Sequence, residues 1–184
     1  MPDRRTFLKF CIGGLIGSFS IATSLKYYRQ NNLLKIVEYP NPILRAVSRP
    51  IRRIDDKIVK LSEYMISTLR YEALLEFFSR ASLYKGLAAP QVGHSIRMIV
   101  CGLYGQITVL INPEIIEQKG NYASKEFCLS LPDQETRTIP RANLVKVKHT
   151  NLDSKETILT AHGSSAALLA HEIDHLNGIL YIDY

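Results

Sequence analysis

Near the end of the chain the sequence reads His171-Glu172-Ile173-Asp174-His175. Residues four apart on a helix share one face, so this string presents two imidazoles together and sets a glutamate beside the first. It is the H-E-x-x-H pattern of a metal-dependent hydrolase. A fold built around it needs a helix whose inner face carries polar groups. Other segments must then supply a further ligand, a cleft and oxyanion donors.

The apolar patterns describe that framework. With 184 residues the chain can form one domain with a substantial core. Asp55 to about Ser79 reads as a helix, with Ile58, Leu61, Met65 and Leu69 on one stripe and Leu74 and Leu75 extending it. Gly86-Leu87-Ala88-Ala89-Pro90-Gln91-Val92-Gly93 reads as a tight segment beside a cleft. Short strands are expected at Leu34–Val37, Ile96–Cys101, Ile107–Ile111, Ile115–Gln118, Asn143–His149 and Thr157–Leu159. The second and third of these should form a hairpin across Gly102–Gly105, and Asn112-Pro113 should stop the third. A final helix, about Ser164 to Leu176, should end at Asn177-Gly178. There is no βαβ rhythm and no phosphate-binding glycine loop. The expected class is α+β, with short mixed or antiparallel sheets around a central H-E-x-x-H helix.

The formal charge is +6. Arg45, Arg49, Arg52, Arg53, Lys57 and Lys60 favour acidic partners, but no zinc finger or basic helix with stacking aromatics accompanies them. We read them as a solvated basic surface, with no specific nucleic-acid site. Three cysteines cannot close a disulfide framework without a remainder.

The first thirty residues differ from the rest. Asp3-Arg4-Arg5-Thr6-Phe7-Leu8-Lys9 leads into an apolar and small-residue run from Phe10 to Leu25. This resembles a twin-arginine export signal, without a clear Ala-x-Ala cleavage site. The run is also short of the ~20 residues that a full span needs. Residues 1–32 are read as a signal-like or membrane-anchor extension, with membrane contact through residues 1–30, and 33–184 as the catalytic domain.

A catalytic metal site needs a third protein ligand. Cys128, His162, His149, His94 and Asp174 are the candidates. Cys128 stands alone in a short polar segment, and a thiolate with two imidazoles suits a divalent ion. Its plainer alternative is a small buried hydrophobe. Asp174 lies off the histidine face and should cap or salt-bridge elsewhere. Glu172 would move the proton, while Gln91 and the backbone N–H of Leu129 would steady an oxyanion.

Three ordered segments carry a resemblance. Gly86-Leu87-Ala88-Ala89-Pro90-Gln91, Glu126-Phe127-Cys128-Leu129-Ser130 and His171-Glu172-Ile173-Asp174-His175 resemble the signature motifs of peptide deformylases. Tyr39-Pro40-Asn41-Pro42, Ile111-Asn112-Pro113 and His175-Leu176-Asn177-Gly178 fit as flanks. The resemblance spans about residues 34–183. It implies metal ligation by Cys128, His171 and His175, acid–base work by Glu172, and oxyanion support from Gln91 and Leu129. It also implies one Fe2+ or Zn2+ per chain and substrate contacts from Lys85, Gly86, Phe127 and Leu168. The implied reaction removes the N-formyl group from the methionine of new polypeptides, which implies a cytoplasmic setting close to the ribosome.

The chain departs from that pattern at three places. Tyr84 and Phe127 stand where the family has glycine, and Ala170 stands where it has glutamine before the first histidine. The two aromatics are expected to fill or redirect the substrate pocket. They would also strain the backbone by about 1 kcal/mol or more at a positive φ. Ala170 is expected to remove a hydrogen bond that supports the ligands. A related N-acyl amidase and a non-catalytic, membrane-associated protein of the same fold are the alternative functions.

Overall fold

The computed structural model describes residues 33–79 and 86–184. In chain order these form a long helix, α1 (Asp56–Ser79), then strands β1 (Gly86–Ala88), β2 (Met98–Leu103), β3 (Gln106–Lys119), β4 (Tyr122–Glu126), β5 (Arg137–Arg141), β6 (Leu144–Thr150) and β7 (Glu156–His162), and a second helix, α2 (Gly163–Leu176). Five strands make one sheet in the order β1-β2-β3-β6-β7, and β4 and β5 make a separate pair. Every named strand pairing is antiparallel. The expected α+β architecture is therefore the observed one, with antiparallel sheets.

Strand β2 explains the layering. Met98, Ile99, Val100 and Cys101 are all fully buried, as an apolar run covered on both faces must be. Successive side chains point to opposite faces. Met98 and Val100 meet Leu61, Met65 and Leu69 of α1. Ile99, Cys101 and Leu103 meet Leu169, Ile173 and Leu176 of α2. Burying a side chain such as Met65 or Leu169 contributes about 2 kcal/mol. The Asp55 carboxylate starts α1 by accepting from the Lys57 and Ile58 N–H groups, both at 3.1 Å. That helix runs unbroken to Ser79, and the side chains of residues 73–79 lie outside the described set.

Several local expectations need correction. Leu34–Val37 joins no ladder; the Val37 and Tyr39 N–H groups donate to the Gln91 and Ser130 carbonyls at 2.7 and 2.8 Å. Asn112-Pro113 does not end a strand. Asn112 takes a φ of 50°, and β3 continues through a register shift between Ile111 and Glu114. A bulge needs no ladder donor from Pro113, so the proline is tolerated there. The Asn112 amide instead closes two 2.8 Å hydrogen bonds on the Ile51 backbone. Ile115–Gln118 is thus the far half of β3. The hairpin turn is also tighter than expected, because Tyr104 and Gly105 both have positive φ and allow a two-residue turn.

Helix α2 ends as the sequence implies. Gly178 has a φ of 74°, and the Ile179 N–H returns to the Asp174 carbonyl at 3.0 Å. A Cβ at Gly178 would run into the Arg45 carbonyl, and the Ser48 N–H donates to the Leu176 carbonyl at 2.9 Å, so the end of the helix rests on the Arg45 and Ser48 backbone. Residues 1–32 lie outside the described residues, as does Tyr84. Among the described residues no helix is long and apolar enough to cross a membrane.

Candidate active site

Helix α2 carries His171, Glu172 and His175 into the space below β4, and the segment after β4 brings Cys128 over them. Cys128, His171 and His175 offer ligand atoms that all lie within 4.8 Å of one another. The Cys128 Sγ is 3.2 Å from His175 Nε2, and the two imidazole rings meet edge-on with centroids 5.0 Å apart. All three residues are buried. The other ligand candidates are elsewhere. His149 is buried against Thr157 at 3.1 Å, and His94 and His162 are exposed. Asp174 pairs with Arg141 at 2.6 Å, as its position off the histidine face implied.

A charged network orients the first ring. Arg141 forks onto Glu126, with Nε and Nη2 donating to Oε1 and Oε2 at 2.8 and 2.9 Å. Glu126 Oε2 in turn meets His171 Nδ1 at 2.7 Å. Burial alone would raise the Glu126 carboxyl, but the bonds from Arg141 and His171 outweigh it and hold its pKa at about 2. An ionised carboxylate only accepts, so Nδ1 carries a proton and Nε2 is the nitrogen turned to the site. Burial lowers the His171 pKa, but the bonds to Cys128 and Glu126 outweigh it and hold it well above the usual value. Burial holds the His175 pKa well below the usual value, so that ring is neutral, the form that ligates a metal. Two imidazoles and a thiol within one ion's reach fit a divalent metal of the zinc or iron type, which would displace the proton from a ligating nitrogen on binding.

Glu172 sits beside this group. It is 2 % exposed, and its Oε2 has no hydrogen-bond partner. Burial is the main reason its pKa rises to about 7. A carboxyl poised near neutrality suits a group that takes a proton and returns it. Its close neighbour is Gly86, where an added Cβ would overlap the carboxyl itself. Gly86→Ala is therefore expected to lower turnover by at least about 10-fold through misplacement of Glu172. Ion content, read by mass spectrometry, should stay at the parent value.

Gln91 is held at both ends. Its Oε1 accepts from the Ala88 N–H at 2.8 Å, which turns Nε2 toward Cys128 Sγ at 3.4 Å and Ser130 Oγ at 3.3 Å. An amide N–H2 beside the thiol is where a donor to an incoming carbonyl oxygen belongs. The cleft above has a volume of about 330 Å³ and is lined by Gly86, Gln91, Phe127, Leu129, Leu168 and Glu172 among others. Lys85 lies outside the described residues.

Phe127 does not fill this cleft. It lines the rim, 43 % exposed, and the cavity remains open. Nor is its backbone strained: among the described residues the non-glycine positions with positive φ are Tyr104, Asn112 and Ser154. The support expected to be missing at Ala170 is present for His171 through Glu126. Sequence reasoning missed Arg141. It lies in β5, which the apolar patterns did not reveal; β5 pairs with β4, and the long Arg141 side chain reaches along that pair from opposite Tyr122 to Glu126.

Comparison with known proteins places this arrangement. A family model described as "Polypeptide deformylase" matches residues 33–184. The peptide deformylase of Halothermothrix orenii is 43% identical over 153 residues, 82% of this chain and 92% of that protein. The one from Carboxydothermus hydrogenoformans is 41% identical over 150 residues, 81% of this chain and 91% of that protein. Among solved structures, peptide deformylase from Thermotoga maritima superposes with a TM-score of 0.72 at 34% identity, covering 82% of this chain and 96% of that one.

Proposed function

The chain belongs to the polypeptide deformylase family, and on that premise we propose which of its residues carry each step of the reaction. It is a metal-dependent hydrolase that removes the N-formyl group from the N-terminal methionine of newly made polypeptides and releases formate. Cys128, His171 and His175 hold one divalent ion, Fe2+ or Zn2+. When bound, that ion supplies Lewis acidity, polarising the formyl carbonyl and lowering the pKa of water. Glu172 takes a proton from the attacking water and returns it to the departing amine as the C–N bond breaks. Gln91 Nε2 and the Leu129 N–H donate to the oxygen that gains charge. Glu126, fixed by Arg141, keeps His171 in its ligating tautomer. Lys85, Gly86, Phe127 and Leu168 contact the peptide.

The observation that supports these roles is the convergence of one thiol and two imidazoles beside a buried carboxyl with an unpartnered oxygen. The test is formate release from a formyl-methionyl tripeptide by the iron- or zinc-loaded full chain, with the acetylated tripeptide beside it. Equal turnover of the acetyl peptide would assign an N-acyl amidase instead, a reading that the rim position of Phe127 keeps in view. No turnover at one ion per chain would overturn the catalytic roles.

Residues 33–184 form the catalytic domain in this proposal, and residues 1–32 a signal-like or anchoring extension. Deformylation works on chains leaving the ribosome, so an anchor that keeps the domain on the cytoplasmic face reconciles the two. The full chain is then expected in washed membrane fractions, and the chain without residues 1–32 in the soluble fraction. Equal partitioning of both would sink the anchor.

A further inference from the structure

We propose that the ring of Tyr184 is a positioning element for the ion site, sealing Arg141 and so holding Glu126 and His171 in register. The inference rests on the ligand roles proposed for Cys128, His171 and His175.

The geometry is a continuous relay from the surface to a ligand. The Arg141 guanidinium lies 4.6 Å from the centre of the Tyr184 ring. Its Nη1 donates to the Tyr184 hydroxyl at 3.2 Å and to Asp174 Oδ2 at 2.6 Å. The same hydroxyl donates to Asp174 Oδ2 at 3.0 Å. The other two guanidinium nitrogens clasp Glu126, which holds His171 Nδ1. Every nitrogen of Arg141 is thus engaged, and its side chain is 4 % exposed.

Tyr184 is the outer layer of this stack, at 52 % exposure. It is held in place by its neighbour. Asp183 pairs with both terminal nitrogens of Arg45 and accepts from the Leu180 N–H at 2.8 Å. A cation over an aromatic face and a carboxylate fork both strengthen when water is kept away. Removing the ring lets water reach the guanidinium, which weakens its grip on Glu126 and Asp174 together. Asp174 lies on α2 between the two histidine ligands, while Glu126 lies on β4 two residues before Cys128. Arg141 therefore ties together the two elements that supply all three ligands, and Tyr184 covers that tie.

Cobalt(II) is a suitable probe, because its visible bands report ligand geometry without any turnover. The full chain is loaded with Co2+, and the loss of those bands to a chelator is timed. Tyr184→Ala is expected to release cobalt about 10-fold faster than the parent, the usual scale for groups that support a ligand from behind. Tyr184→Phe keeps the ring and should recover most of the difference. In an Arg141→Lys background, Tyr184→Ala should change release by less than about twofold, because the two act in series.

Release from Tyr184→Ala within about twofold of the parent would overturn the inference. Equal acceleration in the parent and Arg141→Lys backgrounds would also overturn it, since the effect would not pass through Arg141. Tyr184→Phe releasing as fast as Tyr184→Ala would remove the ring's role. A parent chain that takes up no cobalt defeats the ligand assignment itself. Cobalt bound normally with an unchanged release rate defeats only the part given to Tyr184.

Discussion

Replacing Glu172 with glutamine is expected to lower turnover of a formyl-methionyl peptide by about 10³-fold, the middle of the range for loss of a positioned general base. The change is nearly isosteric, so the close fit against Gly86 and the packing of α2 persist. The group lost is the buried carboxyl that accepts the proton of water and hands it to the leaving amine. A neutral amide has no comparable basicity. Because the three ligand atoms are untouched, the variant should still hold one ion per chain. Steady-state kinetics with ion content measured on the same sample check this. Turnover above about a tenth of the parent would assign the proton transfer to another group.

The second large effect concerns the ligands. Cys128→Ala and His175→Ala are each expected to weaken ion binding by well over 100-fold, beyond the usual cost of losing an outer hydrogen bond. Stability should follow. A ligand that binds only the folded state adds about 2.7 kcal/mol at 100 times its Kd, so the parent should melt higher as ion is added. The two variants should show no such rise. Cys128 also packs with Leu44, Leu131 and Tyr181, so Cys128→Ala loses some stability even without ion. The ion-dependent increment, not the absolute midpoint, is the deciding measurement. A variant that keeps the full increment would remove that residue from the ligand set.

Part of this site is legible because its geometry is local. Two histidines four apart face the same way on any helix, and Glu172 follows from the same period. The Asn177-Gly178 cap, the Leu61–Met65–Leu69 stripe and the alternation of β6 are local in the same sense. Strands β4 and β5 escaped because Tyr-Ala-Ser-Lys-Glu and Arg-Thr-Ile-Pro-Arg carry almost no apolar alternation. Their inward positions include Ser124, Glu126 and Arg141, and the last two are buried because they bond to each other and to a ligand residue. Asn112-Pro113 misled for a related reason. A proline stops a regular ladder, but a bulge anchored on Ile51 needs nothing from its nitrogen.

The amino-acid order alone determined the two-histidine helix, the acid–base glutamate beside it and the set of residues from which a third ligand had to come. Choosing Cys128 from that set by geometry, aiming Gln91 at it, and laying Arg141 and Tyr184 behind His171 required the tertiary structure. Those groups come from different elements of the chain, and their meeting depends on how a separate two-stranded sheet closes over α2. Periodicity reports which face of one element is buried. It says nothing about which buried polar groups from different elements will find each other.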